Sequence, residues 1–314
     1  ELFKLPTFIN TMMENKLLGS KTKQGFYKKV DKDILSLDLN TLEYRPQQKA
    51  SFQTLELTKT IDKVKDRFKV LVKGTDKAGD FYRKSFAALF AYVSKRIPEI
   101  TDDLYKIDDA MKAGFGWENG PFEIWDAIGV EKGIEMMKAE GETPAAWVTE
   151  MLASGNSSFF TVKNGANYYY DLSSKTQTKI PGQDAFIILN NIRETNKVWG
   201  NSDATLFDLG DGIVNLEFHS KMNTIGGGVI QGINKSIEIA EKDFQGIVIG
   251  NQAPNFSVGA NLDMIFMMAV EQEYDELNFA IKSFQDTMMR VRYSGIPIIA
   301  APHGMTLGGG CELT

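Results

Sequence analysis

A single cysteine, Cys311, stands among 314 residues, so no intrachain disulfide can form and nothing points to an oxidising compartment. The cytoplasm is the default expectation. Histidine is almost as scarce: His219 and His303 are the only two, neither spaced with Cys311 as a metal ligand set would be, and no metal is expected. No apolar run approaches the ~18 residues that a membrane helix needs, and the opening ELFKLPTFIN lacks the basic-then-apolar layout of a signal peptide. Positive charge is not in excess either. With 35 Lys and Arg against 41 Asp and Glu, the net charge of −6 argues against nucleic acid as a general partner. No G-x-G-x-x-G occurs, so a dinucleotide cradle is not expected in these residues.

What is present reads as soluble globular protein, 43% hydrophobic and 24% charged, with length for about two domains. The chain opens at Glu1 inside a helical pattern, with Phe8, Ile9, Met12, Met13 and Leu17 apolar. An internal piece of a longer protein is therefore the expectation. A faint repeat runs through the first half: PTFINTMM at Pro6 to Met13 parallels PAAWVTEM at Pro144 to Met151, and QGFYKK around Gly25 parallels NGANYYYD around Gly165. Each unit is a helix closed by a glycine and aromatics.

Between the copies the chain is helical. Phe81, Phe86, Leu89, Phe90 and Val93 form a broad apolar face that breaks at Pro98. Thr101 can cap the next helix, which should stop near Gly114, and Pro121 should open another. The polar stretch Leu172 to Asp184 reads as a linker. Beyond it strands and helices alternate. ATLFDLG and GIVNLEFHS predict two strands joined at Gly210, Asp211 and Gly212; Ile230, Ile233, Ile237 and Ala240 predict a helix face behind a Thr224 cap; and the all-apolar GIVIG and IPIIAA predict a mainly parallel sheet with covered faces.

Each of those two apolar strands runs into a loop of small residues that opens a helix, GIVIGNQAPNFSVGANLDM and IPIIAAPHGMTLGGGCELT. A helix N-terminus carries unpaired N–H groups and a partial positive charge, and glycine lets a ligand come close to the backbone. Two such termini side by side can give two donors to one developing oxyanion. His219, His303 and Cys311 read as packing or surface residues beside these loops, and Gly226 to Gly228 as a flexible helix start.

These residues resemble the crotonase (enoyl-CoA hydratase and isomerase) superfamily: NFSVGANL is similar to its first oxyanion-hole loop and GMTLGGGCEL to its second. The resemblance implies a truncated α/β crotonase-like domain over 185–314. It implies that the N–H groups of Ala260 and Gly309 bind the thioester oxygen of a CoA substrate, that Glu312 is the first catalytic glutamate, and that Ser257, Val258 and Gly259 lie against the substrate. HSKMNTI is similar to the family's early CoA-contact segment, which puts Lys221, Met222 and Asn223 near the nucleotide end. Many members carry Asp where this chain has Asn261; as a helix cap Asn serves equally.

The first half resembles a second family. LLGSKTKQGFYKK is similar to the end of the C-terminal helical domain of 3-hydroxyacyl-CoA dehydrogenases, and IDDAMKAGFGWENGPFEIWDAIGV to the signature of that domain's tandem copy. The implied fold is multidomain: an all-α dehydrogenase region, with 1–30 ending a first helical domain, 31–80 connecting and 81–171 a second helical domain, then the linker 172–184 and the crotonase-like part. The order resembles bacterial bifunctional fatty-acid oxidation proteins, which hydrate trans-2-enoyl-CoA and oxidise 3-hydroxyacyl-CoA with NAD. By that resemblance NAD and the dehydrogenase's acid–base residues belong upstream of Glu1, and a second hydratase glutamate lies beyond Thr314. These residues alone are then expected to be inactive and to bind no cofactor of their own. An isomerase of the same superfamily, or a non-catalytic acyl-CoA-binding scaffold, is the alternative; a homo-oligomer or a thiolase partner stays open.

Overall fold

Pro6 fixes the backbone ahead of the first helix, α1 (Thr7–Glu14), which turns Met12 inward. The computed structural model describes residues 4–183, 185–193 and 195–314; Glu1 to Phe3 of the predicted opening helix and Asp184 of the predicted linker lie outside them. The chain divides into two units, Glu1–Ala88 and Leu89–Thr314.

In the first unit α1 is followed by β1 (Tyr27–Val30), β2 (Asp33–Leu37) and β3 (Tyr44–Pro46), an antiparallel meander in sequence order. The β2–β3 turn is held by Asp38, whose Oδ1 accepts the N–H groups of Asn40 and Thr41. Then come α2 (Gln53–Thr58), α3 (Val64–Lys73) and the start of α4 (Lys77–Lys95). Asp76 ties α2 to the head of α4: it accepts the Thr54 N–H and hydroxyl and the Gly79 N–H, and these bonds lower its pKa to about 2.

The second unit begins with the end of α4, then α5 (Leu104–Phe115), α6 (Pro121–Ile128), α7 (Val130–Ala139) and α8 (Ala146–Ala153). Its core is aromatic. Phe90 stacks on Trp125 at 4.8 Å between ring centres, and Phe122 and Phe159 close around them. Gly133 on α7 is what admits the indole, since a Cβ there would lie 2.1 Å from Trp125 Nε1. Asp108 on α5, 1% exposed, accepts the N–H groups of Phe122 and Glu123 at 2.9 and 2.8 Å, so one helix caps the N-terminus of another. Pro121 opens α6 as expected. The preceding helix starts after Asp103 rather than at Thr101 and runs one residue beyond Gly114, to a left-handed Gly116.

The expectation of an all-α region is corrected by two three-stranded sheets. β4 (Phe160–Lys163), β5 (Ala166–Asp171) and β6 (Thr176–Lys179) form a second antiparallel meander, so each half of the sequence repeat is a helix followed by a meander. Asn164 and Gly165, at φ 51° and 74°, make the tight turn between β4 and β5, and Tyr169 and Tyr170 are buried. The expected linker is corrected with it: Thr176 to Lys179 are the third strand, because Thr and Gln side chains suit a half-buried strand paired with tyrosines.

The rest of the second unit is α9 (Leu189–Ile192), β7 (Lys197–Gly200), β8 (Ala204–Gly210), β9 (Ile213–Phe218), α10 (Gly227–Asp243), β10 (Gly246–Ile249), α11 (Leu262–Val270), α12 (Tyr274–Arg292), β11 (Ile298–Ala300) and α13 (Gly309–Leu313). The sheet order is β11-β10-β9-β8-β7. It is mixed rather than mainly parallel. The Gly210–Gly212 turn is too short for anything but an antiparallel β8–β9 pair, whereas the crossover through α10 sets β10 parallel to β9 and the one through α11 and α12 sets β11 parallel to β10. Val229, Ile233, Ile237 and Ala240 of α10 pack on Leu206, Val214, Leu216 and Ile247; α10 is capped from Gly226, not Thr224. Among the described residues no helix is long and apolar enough to cross a membrane.

Candidate functional site

The two small-residue loops leave the ends of β10 and β11, neighbours in the sheet, and their parallel pairing continues past the strands. The Phe256 N–H donates to His303 O at 2.9 Å, Ser257 N–H to Met305 O at 3.2 Å, and Leu307 N–H to Ser257 O at 3.0 Å. That ladder carries Gly259 and Gly309 to the same place. A Cβ on Gly259 would lie 3.1 Å from the Gly309 nitrogen and 2.8 Å from Leu307 O, and one on Gly308 would lie 3.8 Å from Gly259 Cα. Gly259 has φ +91° and Gly308 φ +48°; a left-handed backbone at such close quarters is open to glycine. Neither the Ala260 N–H nor the Gly309 N–H donates to an acceptor among the described residues. Two unspent donors thus stand on facing loops, Gly309 opening α13.

The third segment of the site is the turn after β9. Asn223, 4% exposed and at φ 54°, donates from Nδ2 to Asn255 O at 3.0 Å, and Asn255 Oδ1 accepts the Met305 N–H at 3.0 Å. Ile225 N–H donates to Gly259 O at 2.8 Å. Lys221 and Met222 lie outside this network and are exposed. Met222 and Asn223 border a cavity of about 400 Å³ that Glu217, Arg193 and Pro254 also line.

The predicted residues are therefore only partly brought together. Gly259 meets Leu307, Gly308 and Gly309, with Val258 and Ala260 beside it in the chain. Glu312 stands one turn beyond Gly309 and is exposed, on an open cavity of about 720 Å³ lined also by Met288, Met289 and Thr314. Ser257 is corrected: its accessible surface is 0%, so no atom of it touches a ligand, and its hydroxyl is spent inside the protein. Asn261 is a helix cap, its Oδ1 accepting the N–H groups of Asp263 and Met264. His303 bonds Ala253 O at 2.7 Å and His219 bonds the Thr205 hydroxyl at 2.9 Å.

The sequence reading missed three residues. Phe284 on α12 lies against Gly309, 3.2 Å from where its Cβ would be; only the helical period of α12 pointed to an inward face. Arg193 donates to the buried Glu217, 2% exposed, at 2.6 Å. Glu217 lies on β9 between the core residues Leu216 and Phe218.

Residues 208–314 match the enoyl-CoA hydratase/isomerase family. Other relatives match over nearly the whole chain. A Bacillus subtilis (strain 168) protein named a probable 3-hydroxyacyl-CoA dehydrogenase is 44% identical over 99% of this chain and 39% of its own length. A Rickettsia felis protein named as a fatty acid oxidation complex trifunctional enzyme is 28% identical over 97% of this chain and 38% of its own. A Dictyostelium discoideum protein named a probable mitochondrial enoyl-CoA hydratase is 31% identical over 32% of this chain and 35% of its own. The chain thus spans about two fifths of the first two relatives, and its hydratase/isomerase match contains both loops, Ala260, Gly309 and Glu312.

Proposed function

We propose that residues 185–314 contribute to an enoyl-CoA hydratase site, and that residues 1–171 are the C-terminal region of a 3-hydroxyacyl-CoA dehydrogenase in the same cytoplasmic fatty-acid oxidation protein. The observation that supports this reading is the contact of the Gly259 and Gly309 backbones, together with the lack of an acceptor among the described residues for the Gly309 N–H and for that of Ala260, next to Gly259 in the chain.

The substrate is a trans-2-enoyl-CoA. As water adds to the β-carbon, the thioester oxygen gains negative charge, and the two N–H groups stabilise it without having to reorganise; a single such donor is worth about 3 kcal/mol. Glu312 holds the water and takes its proton as the new C–O bond forms. A second acid, the glutamate that the resemblance implies, protonates the α-carbon, and 3-hydroxyacyl-CoA results; the proton held by Glu312 then restores that acid. Lys221 and Met222, exposed after β9, face the CoA portion. NAD would accept the hydride in the dehydrogenase step.

The test is loss of enoyl absorbance from a short trans-2-enoyl-CoA in the full-length protein that carries these residues and in its Glu312→Gln variant. Hydration by the first and a fall of at least about 100-fold in the second are expected for loss of a general base. Wild-type protein that moves the double bond of a 3-enoyl-CoA without adding water would be an isomerase. Protein that binds acyl-CoA without either reaction would be a scaffold.

A further inference from the structure

Ser257 bonds two segments of the site through its side chain and a third through its backbone carbonyl. Its Oγ donates to the Asn223 carbonyl at 2.6 Å and accepts the Gly259 N–H at 3.1 Å. Its own carbonyl accepts the Leu307 N–H at 3.0 Å. Gly310, next to the second donor, fits against it so closely that a Cβ there would lie 2.8 Å from Ser257 Cβ. One fully buried residue thus touches the turn after β9, the loop after β10 and the head of α13.

We infer that Ser257 is a positioning residue that fixes the separation and aim of the Ala260 and Gly309 N–H groups. This role rests on the function proposed above and belongs to the same site. The Gly259 N–H has Ser257 Oγ as its acceptor, and with that bond made the peptide plane ahead of the φ +91° turn is set. The following peptide plane carries the Ala260 N–H. The Asn223 carbonyl, held by the same hydroxyl, anchors the pair to the β9 turn, so the loop cannot rotate without breaking two bonds in a place that water does not reach. A buried donor and acceptor left without partners are costly, and the loop is expected to move to find new ones. On the other side, the flat contact with Gly310 sets how far α13, and with it the Gly309 N–H, stands from the first loop. Asn223, predicted to contact CoA, belongs to this support: its amide and its carbonyl are both committed to the loops.

The test uses the full-length protein and two variants, Ser257→Ala and Ser257→Cys. Three quantities are read: kcat and KM for a short trans-2-enoyl-CoA, the melting temperature, and the absorption of an arylacryloyl-CoA probe whose spectrum moves to longer wavelength when its carbonyl accepts hydrogen bonds. Ser257→Ala is expected to lower kcat by roughly 10- to 100-fold, less than outright loss of a donor, with KM changed by less than about threefold, and to shrink the spectral shift of the bound probe. Ser257→Cys, of similar size but a weaker hydrogen-bonding group, should fall between; it carries the test if the alanine variant does not fold. A structural role alone would lower the melting temperature and leave kcat per folded molecule and the probe shift intact, which overturns the proposal, as does a cysteine variant equal to wild type. Wild-type protein that neither turns over nor shifts the probe removes the oxyanion reading itself, and the role of Ser257 falls with it.

Discussion

Replacing Gly259 with alanine isolates the contact on which the proposed chemistry depends. The alanine Cβ would lie 2.8 Å from Leu307 O and 3.1 Å from the Gly309 nitrogen, whereas unstrained contacts begin near about 3.5 Å. The two loops must part by roughly half an ångström or more. At φ +91° an alanine also costs about 1–2 kcal/mol in backbone strain, and overpacking adds about 1–3 kcal/mol. Stability should therefore fall by about 2–5 kcal/mol. Catalysis should fall further than stability predicts, since misaiming one of two donors costs about 100- to 1000-fold in kcat. Gly210 provides the control: it too has φ +91°, in the β8–β9 turn, but a Cβ there meets nothing within 4 Å. Gly210→Ala should show the backbone cost alone and full hydration. Both variants are compared by chemical denaturation and by enoyl absorbance in the full-length protein. If Gly259→Ala turns over within about threefold of Gly210→Ala, the facing amides are not the oxyanion site and the reasoning fails.

Two further outcomes concern the fold around the site. Burial pushes Asp108 up to about 7, against the two N–H groups of Phe122 and Glu123 that favour its charged form, and the nearby Glu123 charge adds to the rise. Because this lies above the unfolded value of 3.8, the unfolded chain ionises first: stability is full below about pH 4, is lost as pH rises to about 7, and is level above. At about 1.36 kcal/mol per pH unit the loss is about 4 kcal/mol. Asp108→Asn should remove that slope, measured as denaturation midpoints from pH 4 to 8, while weakening the α6 cap at low pH; a variant with the wild-type slope would refute the assignment. Arg193→Met should cost about 3 kcal/mol by leaving Glu217 buried without its partner. Glu217→Gln in the same background should recover part of that loss, and additive effects in the double-mutant cycle would show that the pair is not coupled.

The periodic elements were legible in the sequence because local pattern decides them. Pro121, the Gly210–Gly212 turn and the Ile233, Ile237, Ala240 face each specify an element through bonds or burial within a few residues. The meanders were not. NGANYYYD holds an Asn-Gly turn, the strongest short hairpin signal, and β-favouring tyrosines, but its strands are short and it read as the turn that closes a helix. Whether Thr176 to Lys179 is linker or strand depends on a partner, β5, that the segment does not contain.

For the site, the sequence alone determined which residues can serve: glycines where the backbone turns left-handed, a helix start at each loop, and a glutamate one turn into α13. These follow from stereochemistry and hydrogen-bonding capacity, which belong to each residue wherever it lies. Only the tertiary structure decided which of them meet. Strand order put β10 beside β11, so that two loops about fifty residues apart pair beyond the sheet and bring Gly259 against Gly309. The same packing put Ser257, which the family resemblance had set against the substrate, into the interior, where its hydroxyl finds an acceptor in the Asn223 carbonyl and a donor in the Gly259 N–H.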